Sequence, residues 1–310
     1  MKKLLIVIIY LGLTTSVFAQ SRKYISQFSH LQSYYNPGLT GYEGSMIRGF
    51  VRNQWVGWEG APMTYFISGE LDFGELSGVS DPALLGKNAL GVNMFHDQYG
   101  AFVETELILS YASRIQLTTE HNLRLGAGIN YNLVQLDGTK FTIQESLDPI
   151  LGQYANSFSD MQILDFNLGI ALTHKDYYIS TAVHNVNVGQ INGGDAFMER
   201  KPRVLIFQAG YRSELTDNLM IATNVMYRGQ NDLPDNIEVN FKVLMAKRIW
   251  LGGGHRFNYA HSFQVGLVLD RFRIGYIYEM PMLGAYLLPN TTHEFMVTYS
   301  LFGNGNGLMW

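Results

Sequence analysis

The sequence predicts an all-β fold, a transmembrane antiparallel β-barrel of fourteen strands. Three observations lead there. Stretches of alternating apolar and polar residues recur at spanning-strand length, no apolar run beyond residue 19 reaches the length of a spanning helix, and an export signal opens the chain. In hydrocarbon every backbone N–H and C=O needs an internal partner, and without helices only a closed barrel supplies one.

The elements follow in order. Lys2 and Lys3 precede an apolar run over 4–13, and Val17-Phe18-Ala19 supplies a cleavage site, so residues 1–19 read as a signal peptide removed before Gln20. The run is too short to anchor the chain, since a spanning helix needs roughly 20 apolar residues. Residues 20–44 carry Tyr24, Phe28, His30, Tyr34 and Tyr35 and then Asn36-Pro37-Gly38. Asn-Pro-Gly is a turn signal and tyrosines gain from burial, so this stretch is expected to be an ordered lumenal or periplasmic segment. The barrel is assigned to 45–302 and a tail to 303–310.

Within the barrel the strands are placed at 45–56, 62–72, 88–98, 101–114, 121–135, 162–174, 176–187, 202–215, 217–228, 236–248, 250–259, 261–269, 271–280 and 291–302. The alternation is plain in Leu123, Leu125, Ala127, Ile129 and Tyr131, with Arg124, Gly126, Gly128, Asn130 and Asn132 between them. It returns in Leu164, Phe166, Leu168, Ile170 and Leu172 against Asp165, Asn167, Gly169, Ala171 and Thr173, and again in Phe295, Val297, Tyr299 and Leu301 against Glu294, Met296, Thr298 and Ser300. Period two marks strands. Spanning strands run about 9–11 residues, against about 5–6 in soluble sheets. A soluble β-sandwich also alternates, but it explains neither the strand length nor the signal. Nor does it explain aromatics near strand ends, where Tyr131, Tyr211, Tyr227, Trp250, Tyr276, Tyr278 and Tyr299 suit interfacial girdles.

Connections alternate in length. Lys175, Thr216, Ile249 and Asp270 mark tight turns, while 136–161, 188–201, 229–235 and 281–290 are longer. Outer-membrane barrels keep short turns in the periplasm and long loops outside. The expected location is therefore the outer membrane, multi-pass, with both termini periplasmic. One long connection, 73–87, falls on the short-turn side.

Composition narrows function. Charged residues are 15%, aromatics 13% and Gly counts 32, with net charge −4 and no Cys. Soluble domains average about 25% charged residues. No basic run points to nucleic acid, and no thiol chemistry is available. Gly78-Val79-Ser80-Asp81 lacks the closing glycine of a nucleophile elbow. The eight His residues form no H-E-x-x-H. His174 and His184 fall on or near neighbouring strands, but two unrelated polar positions account for them more simply. Ser180 and His184 share a face of one strand, which does not make a dyad. Gly252-Gly253-Gly254 precedes no helix, and Asp232 and Asp235 lack EF-hand spacing. The expectation is no enzyme, no cofactor and no metal.

One motif stands apart. Arg52-Asn53-Gln54-Trp55-Val56-Gly57 is followed by Glu59-Gly60-Ala61-Pro62, and upstream lie Gln27-Phe28-Ser29, Tyr35-Asn36-Pro37 and Thr40-Gly41. The chain resembles the PorP/SprF family of the type IX secretion system of Bacteroidetes, whose members carry Q-F-S…N-P…A-G and then R-N-Q-W-x-G-x-x-G-A-P. Weaker matches run on through Ser110-Tyr111-Ala112, Trp250-Leu251-Gly252-Gly253, Arg273-Ile274-Gly275-Tyr276 and Thr292-His293-Glu294. The sequence departs from the family at Gly38-Leu39-Thr40, where N-P-A-Y-A-G is common, and at Ser180-Thr181-Ala182-Val183-His184, which lacks the Pro of a family S-x-P-H element. The resemblance implies an outer-membrane component of that system that supports secretion or surface anchoring of cargo such as gliding adhesins. Its implied partners are outer-membrane lipids, other secretion subunits and a cargo C-terminal domain. Arg52, Asn53, Gln54, Trp55, Gly57, Gly60, Ala61 and Pro62 form the candidate site, either a device that fixes hairpin geometry, with Arg52 paired to a lumenal carboxylate, or a docking surface. The alternative function is a porin or hydrophobic-solute channel. A barrel hydrolase is a third.

Overall fold

The computed structural model describes residues 25–78, 87–140, 154, 156–197, 200–231, 233–282 and 290–302. The predicted signal peptide, the tail from 303 and Asp232 lie outside the described residues, as do Val79, Ser80 and Asp81. Fifteen strands form one sheet. They are β1 (Met46–Asn53), β2 (Met63–Asp72), β3 (Asn88–Tyr99), β4 (Phe102–Gln116), β5 (Asn122–Asp137), β6 (Phe158–Thr173), β7 (Tyr177–His184), β8 (Ile191–Gly194), β9 (Val204–Thr216), β10 (Leu219–Gln230), β11 (Leu233–Met245), β12 (Ile249–Arg256), β13 (Ala260–Leu269), β14 (Phe272–Pro281) and β15 (Thr292–Ser300). All pairings are antiparallel, and β1 pairs with β15 over Met46↔Ser300 to Asn53↔His293, which closes the wall. The short β8 pairs only with the upper part of β6, so the closed barrel has the fourteen strands expected.

Closure removes every edge, and neighbour pairing satisfies the backbone that lipid cannot. The wall is lipophilic outside and polar inside. On β6, Leu164, Phe166, Leu168 and Ile170 are exposed, while Asp165 and Asn167 are buried. From Leu164 to Leu172 is roughly 27 Å along the strand at about 3.4 Å per residue, the scale of an apolar belt about 25 Å tall once tilt is included.

Short turns at 117–121, 174–176, 217–218, 246–248 and 270–271 gather at one end, with Met46 and Ser300. Asn53, Met63, Asp137, Phe158, Pro281 and Thr292, the strand ends that the longer connections join, gather at the other. Asp72 and Asn88, the strand ends that the long early connection joins, do lie at the turn end. That connection begins with a helical turn, Phe73–Leu76, capped by the Asp72 side chain, which accepts from Glu75 N at 3.0 Å. Two expectations fail. The stretch 229–235 is no long loop, because β10 and β11 run on to Gln230 and Leu233 and leave a two-residue hairpin. Trp250 is no girdle residue. It points inward and is fully buried, because Gly266 and Gly275 on the next strands leave room for its indole.

Near the loop ends of β5 and β6 the inward face changes character, while β4 keeps the inward Glu104 beside Val134. At those two ends the inward residues become apolar: Val134, Met161 and Ile163 pack with Ile191 and Phe197. This apolar cluster covers part of the mouth at the loop end. The chain from β7 to β9 folds into this cap. Asp165 holds its turn, accepting from Asn187 N at 2.7 Å and Gly189 N at 2.6 Å.

Candidate functional site

The interior is occupied by the chain's own amino-terminal segment. Residues 25–45 are buried apart from the half-buried Tyr34. They form short helical turns, Phe28–His30, Gln32–Tyr35 and Pro37–Leu39, rather than strands. The segment starts in the loop-end half, where Ser26 N donates to Glu294 Oε1 at 3.0 Å and Ser26 Oγ bonds Glu279, both near the loop ends of β15 and β14. It ends at Ser45, at the turn end. There Ser45 N donates to Glu75 at 2.5 Å and Ser45 Oγ accepts from Asp72 N at 2.9 Å.

Wall strands hold the plug from most sides. Tyr34 OH donates to Glu106 on β4 (2.9 Å), Ser33 Oγ to Glu70 on β2 (3.0 Å), and Tyr42 OH to the carbonyl of His174 (2.7 Å). The Lys242 ammonium on β11 donates to Ser29 Oγ and His30 Nε2, both at 2.7 Å. Glu43 accepts from Arg48 at 2.8 Å and lies 3.9 Å from Arg273. Tyr34 and Tyr35 join Phe50, Phe66 and Phe95 in an apolar cluster at mid-barrel.

The Asn36-Pro37-Gly38 turn is the tightest fit. Asn36 Oδ1 accepts from Gly38 N at 2.8 Å and caps its own turn. Its Nδ2 donates to the carbonyls of Ile170 on β6 (3.2 Å) and Thr181 on β7 (3.1 Å), stapling two paired strands. The turn sits against wall glycines. A Cβ on Gly126 would overlap the backbone of Pro37 and Gly38, and one on Gly169 would overlap the Asn36 amide. Sequence reasoning reads these glycines only as part of a small or polar inner face. Their signal, two inward glycines at paired positions of adjacent strands, has no meaning until the plug is placed.

The motif of the first hairpin divides by face. Arg52 points inward, is 1% exposed, and pairs with Glu279 at 3.1 Å and with Glu294. Arg256 joins the same network through Glu279 (3.1 Å) and Glu238 (2.9 Å). Asn53 points outward, half-buried beside His293. Gln54 N donates to Pro62 O at 3.0 Å and closes the loop. Trp55 (φ 54°), Gly57 (φ 91°) and Gly60 (φ 71°) take left-handed backbone, which glycine adopts without the penalty other residues meet. Ala61 N donates to Trp58 O. The loop is tied to both neighbours, by Val56 N to Thr291 O (3.0 Å), Asn290 Nδ2 to Val56 O (3.0 Å) and Gly100 N to Gly60 O (3.1 Å). This leaves Val56, Gly57, Trp58, Glu59 and Gly60 exposed on a braced tip.

The candidates for chemistry do not assemble. His184 Nε2 bonds the Tyr35 carbonyl at 2.9 Å inside the barrel, while His174 stacks on Tyr177 at the turn end. The two histidines therefore do not meet. Among the described residues no group of three or more His, Cys, Asp or Glu is placed to hold a metal.

The family model for the type IX secretion system membrane protein PorP/SprF matches residues 17–299. The chain belongs to the PorP/SprF family. This PorP/SprF protein is an outer-membrane, multi-pass barrel. Comparison with curated proteins gives no match. Among solved structures it is similar to the CymD monoaromatic hydrocarbon channel, with TM-score 0.49 and 11% identity over 91% of this chain and 94% of that one. The Pseudomonas putida toluene transporter TodX gives 0.48 and 9% over 90% and 94%. The Ralstonia pickettii toluene transporter TbuX gives 0.47 and 12% over 86% and 91%.

Proposed function

We propose that this PorP/SprF protein is a non-enzymatic scaffold of the type IX secretion system that supports secretion or surface anchoring of cargo proteins such as gliding adhesins. The carrying observation is the filled interior. Residues 25–45 occupy the lumen and engage β1, β2, β4, β6, β7, β11, β14 and β15. A barrel so filled has its outer surfaces, not a conduit, free for partners. The turn end, with Met46 and Ser300, faces the periplasm in this reading, following the rule that short turns lie there.

The partner surface we assign is the braced tip of the first hairpin. Arg52 and the carboxylates beneath it fix its base, and Gly57, Gly60, Ala61 and Pro62 shape it. Trp58, 54% exposed, is the residue offered to a secretion subunit or to a cargo C-terminal domain. Aromatic anchors of this kind dominate binding energy at interfaces. The runner-up, a channel for small solutes, requires the plug to leave the lumen or solute to pass beside it.

Deletion of the gene followed by a census of cell-surface proteins tests the proposal. Loss of one large adhesin identifies a dedicated cargo partner, and loss of all exported cargo identifies a core component. An unchanged surface with altered solute uptake overturns the reading in favour of the channel. Replacing Trp58→Ala is expected to reproduce the surface loss while the barrel stays folded. Normal surface cargo in that variant rejects the tip as the docking site.

A further inference from the structure

The lipid-facing wall lacks a side chain at Gly49, Gly69 and Gly253, and only at Gly253 are both direct cross-strand neighbours phenylalanines. Gly253 on β12 faces outward, and its two direct cross-strand neighbours are Phe241 on β11 and Phe263 on β13. Both phenylalanines are about half exposed, at 48% and 58%. A Cβ on Gly253 would come no nearer to its surroundings than 3.6 Å. A bare floor between two aromatic walls results, a groove of about 350 Å³ continued by Val239 and Thr223. It opens onto the belt that lipid covers.

The next outward position toward the loop end carries a second feature. His255 and His261 are directly opposed across β12 and β13. Their rings stack at 4.7 Å, and their Nδ1 atoms are 3.2 Å apart, one donating to the other. Phe257 packs edge-on against His255 at 4.6 Å. His255 is half-buried and His261 exposed. The shared hydrogen bond uses the Nδ1 atoms and leaves the Nε2 atoms outside it, and both residues line the groove. Exposed Phe257 and Ile237 lie one step nearer the loop end, so the pair sits just inside the end of the apolar face, near the level that amphipathic rings occupy in barrels.

We propose that this groove is a binding site for one membrane lipid of the leaflet at the loop end, with an acyl chain on Gly253 between Phe241 and Phe263 and its anionic head group on the His255–His261 pair. The two halves match the two halves of such a lipid. The floor accepts a chain that a side chain would exclude, and the pair, with one Nδ1–H spent on its neighbour, offers one Nε2–H donor when both rings are neutral and two with a positive charge when one ring is protonated. The site is continuous with the lipid-covered face and independent of the hairpin tip, so it does not rest on the secretion reading.

Native mass spectrometry of the detergent-solubilised full chain, titrated with dioleoylphosphatidic acid, tests it. The expected result is one lipid retained at detergent conditions that strip the rest. Gly253→Leu, which fills the groove with apolar bulk on a face already apolar, should cut that retention at least tenfold while the barrel keeps its heat-modifiable migration. His255→Ala combined with His261→Ala should abolish the preference for phosphatidic acid over dioleoylglycerol. Wild-type retention in a folded Gly253→Leu protein overturns the proposal. So does a double histidine variant that still prefers the anionic lipid.

Discussion

Two residues carry opposite demands at the first hairpin. Arg52 satisfies two buried carboxylates, and Trp58 satisfies nothing within the chain's own interior. Removing one partner of a buried ion pair leaves an uncompensated charge and costs about 3–5 kcal/mol. Arg52→Ala should therefore lower barrel stability by about that amount in urea unfolding from detergent micelles. Arg52→Lys should fall between, since a single ammonium cannot engage both carboxylates with a planar fork. An Arg52→Ala barrel as stable as wild type would show that Arg256 alone neutralises the pair. Gly169 allows a second residue-scale test. Gly169→Val places branched carbon where the Asn36 amide sits, so the turn must leave its notch. Limited proteolysis should then cut the chain within 25–45, where the wild type resists.

At the scale of elements, the plug is a folded insert and not a strand of the wall. Its turns bury tyrosines that β1 to β3 meet with Phe50, Phe66 and Phe95, and its polar atoms meet lumenal carboxylates. Deleting residues 25–45 should open the lumen. Planar-bilayer recordings are expected to show stable conductance for the deleted protein and none for the wild type. Equal conductance in both would mean that solute passes beside the plug and would favour a channel.

At the scale of the molecule, the outward polarity fixes where lipid ends. Leu168 sits mid-belt, and Gln162 lies on the tall part of β6 above it. An arginine at the bilayer midplane costs about 2–4 kcal/mol and close to none at the interface. Leu168→Arg should thus destabilise the reconstituted barrel by about 2–4 kcal/mol, and Gln162→Arg by under about 1 kcal/mol, in urea unfolding from liposomes. Similar costs at both sites would shift the membrane boundary upward and bury the cap in lipid.

The wall was legible in the sequence because it obeys a local rule. Lipid on one side and a polar interior on the other impose period two on every spanning strand, and tight turns punctuate it. Tyr131, Leu168 and Val297 thus announce their own face. The resemblance through Arg52 to Pro62 pointed to the family in the same local way. What only the tertiary structure decided depends on pairs distant in the chain. Asn36 reaches Ile170 and Thr181, Arg52 reaches Glu279 and Glu294, and Gly126 and Gly169 are empty because Pro37 and Asn36 fill the space before them. Trp250 points inward for the same kind of reason, since Gly266 and Gly275 make the room. A strand's own residues record which side faces lipid, but the occupant of an enclosed interior is set by shape and charge contributed by many strands at once, and no single stretch of sequence contains that sum.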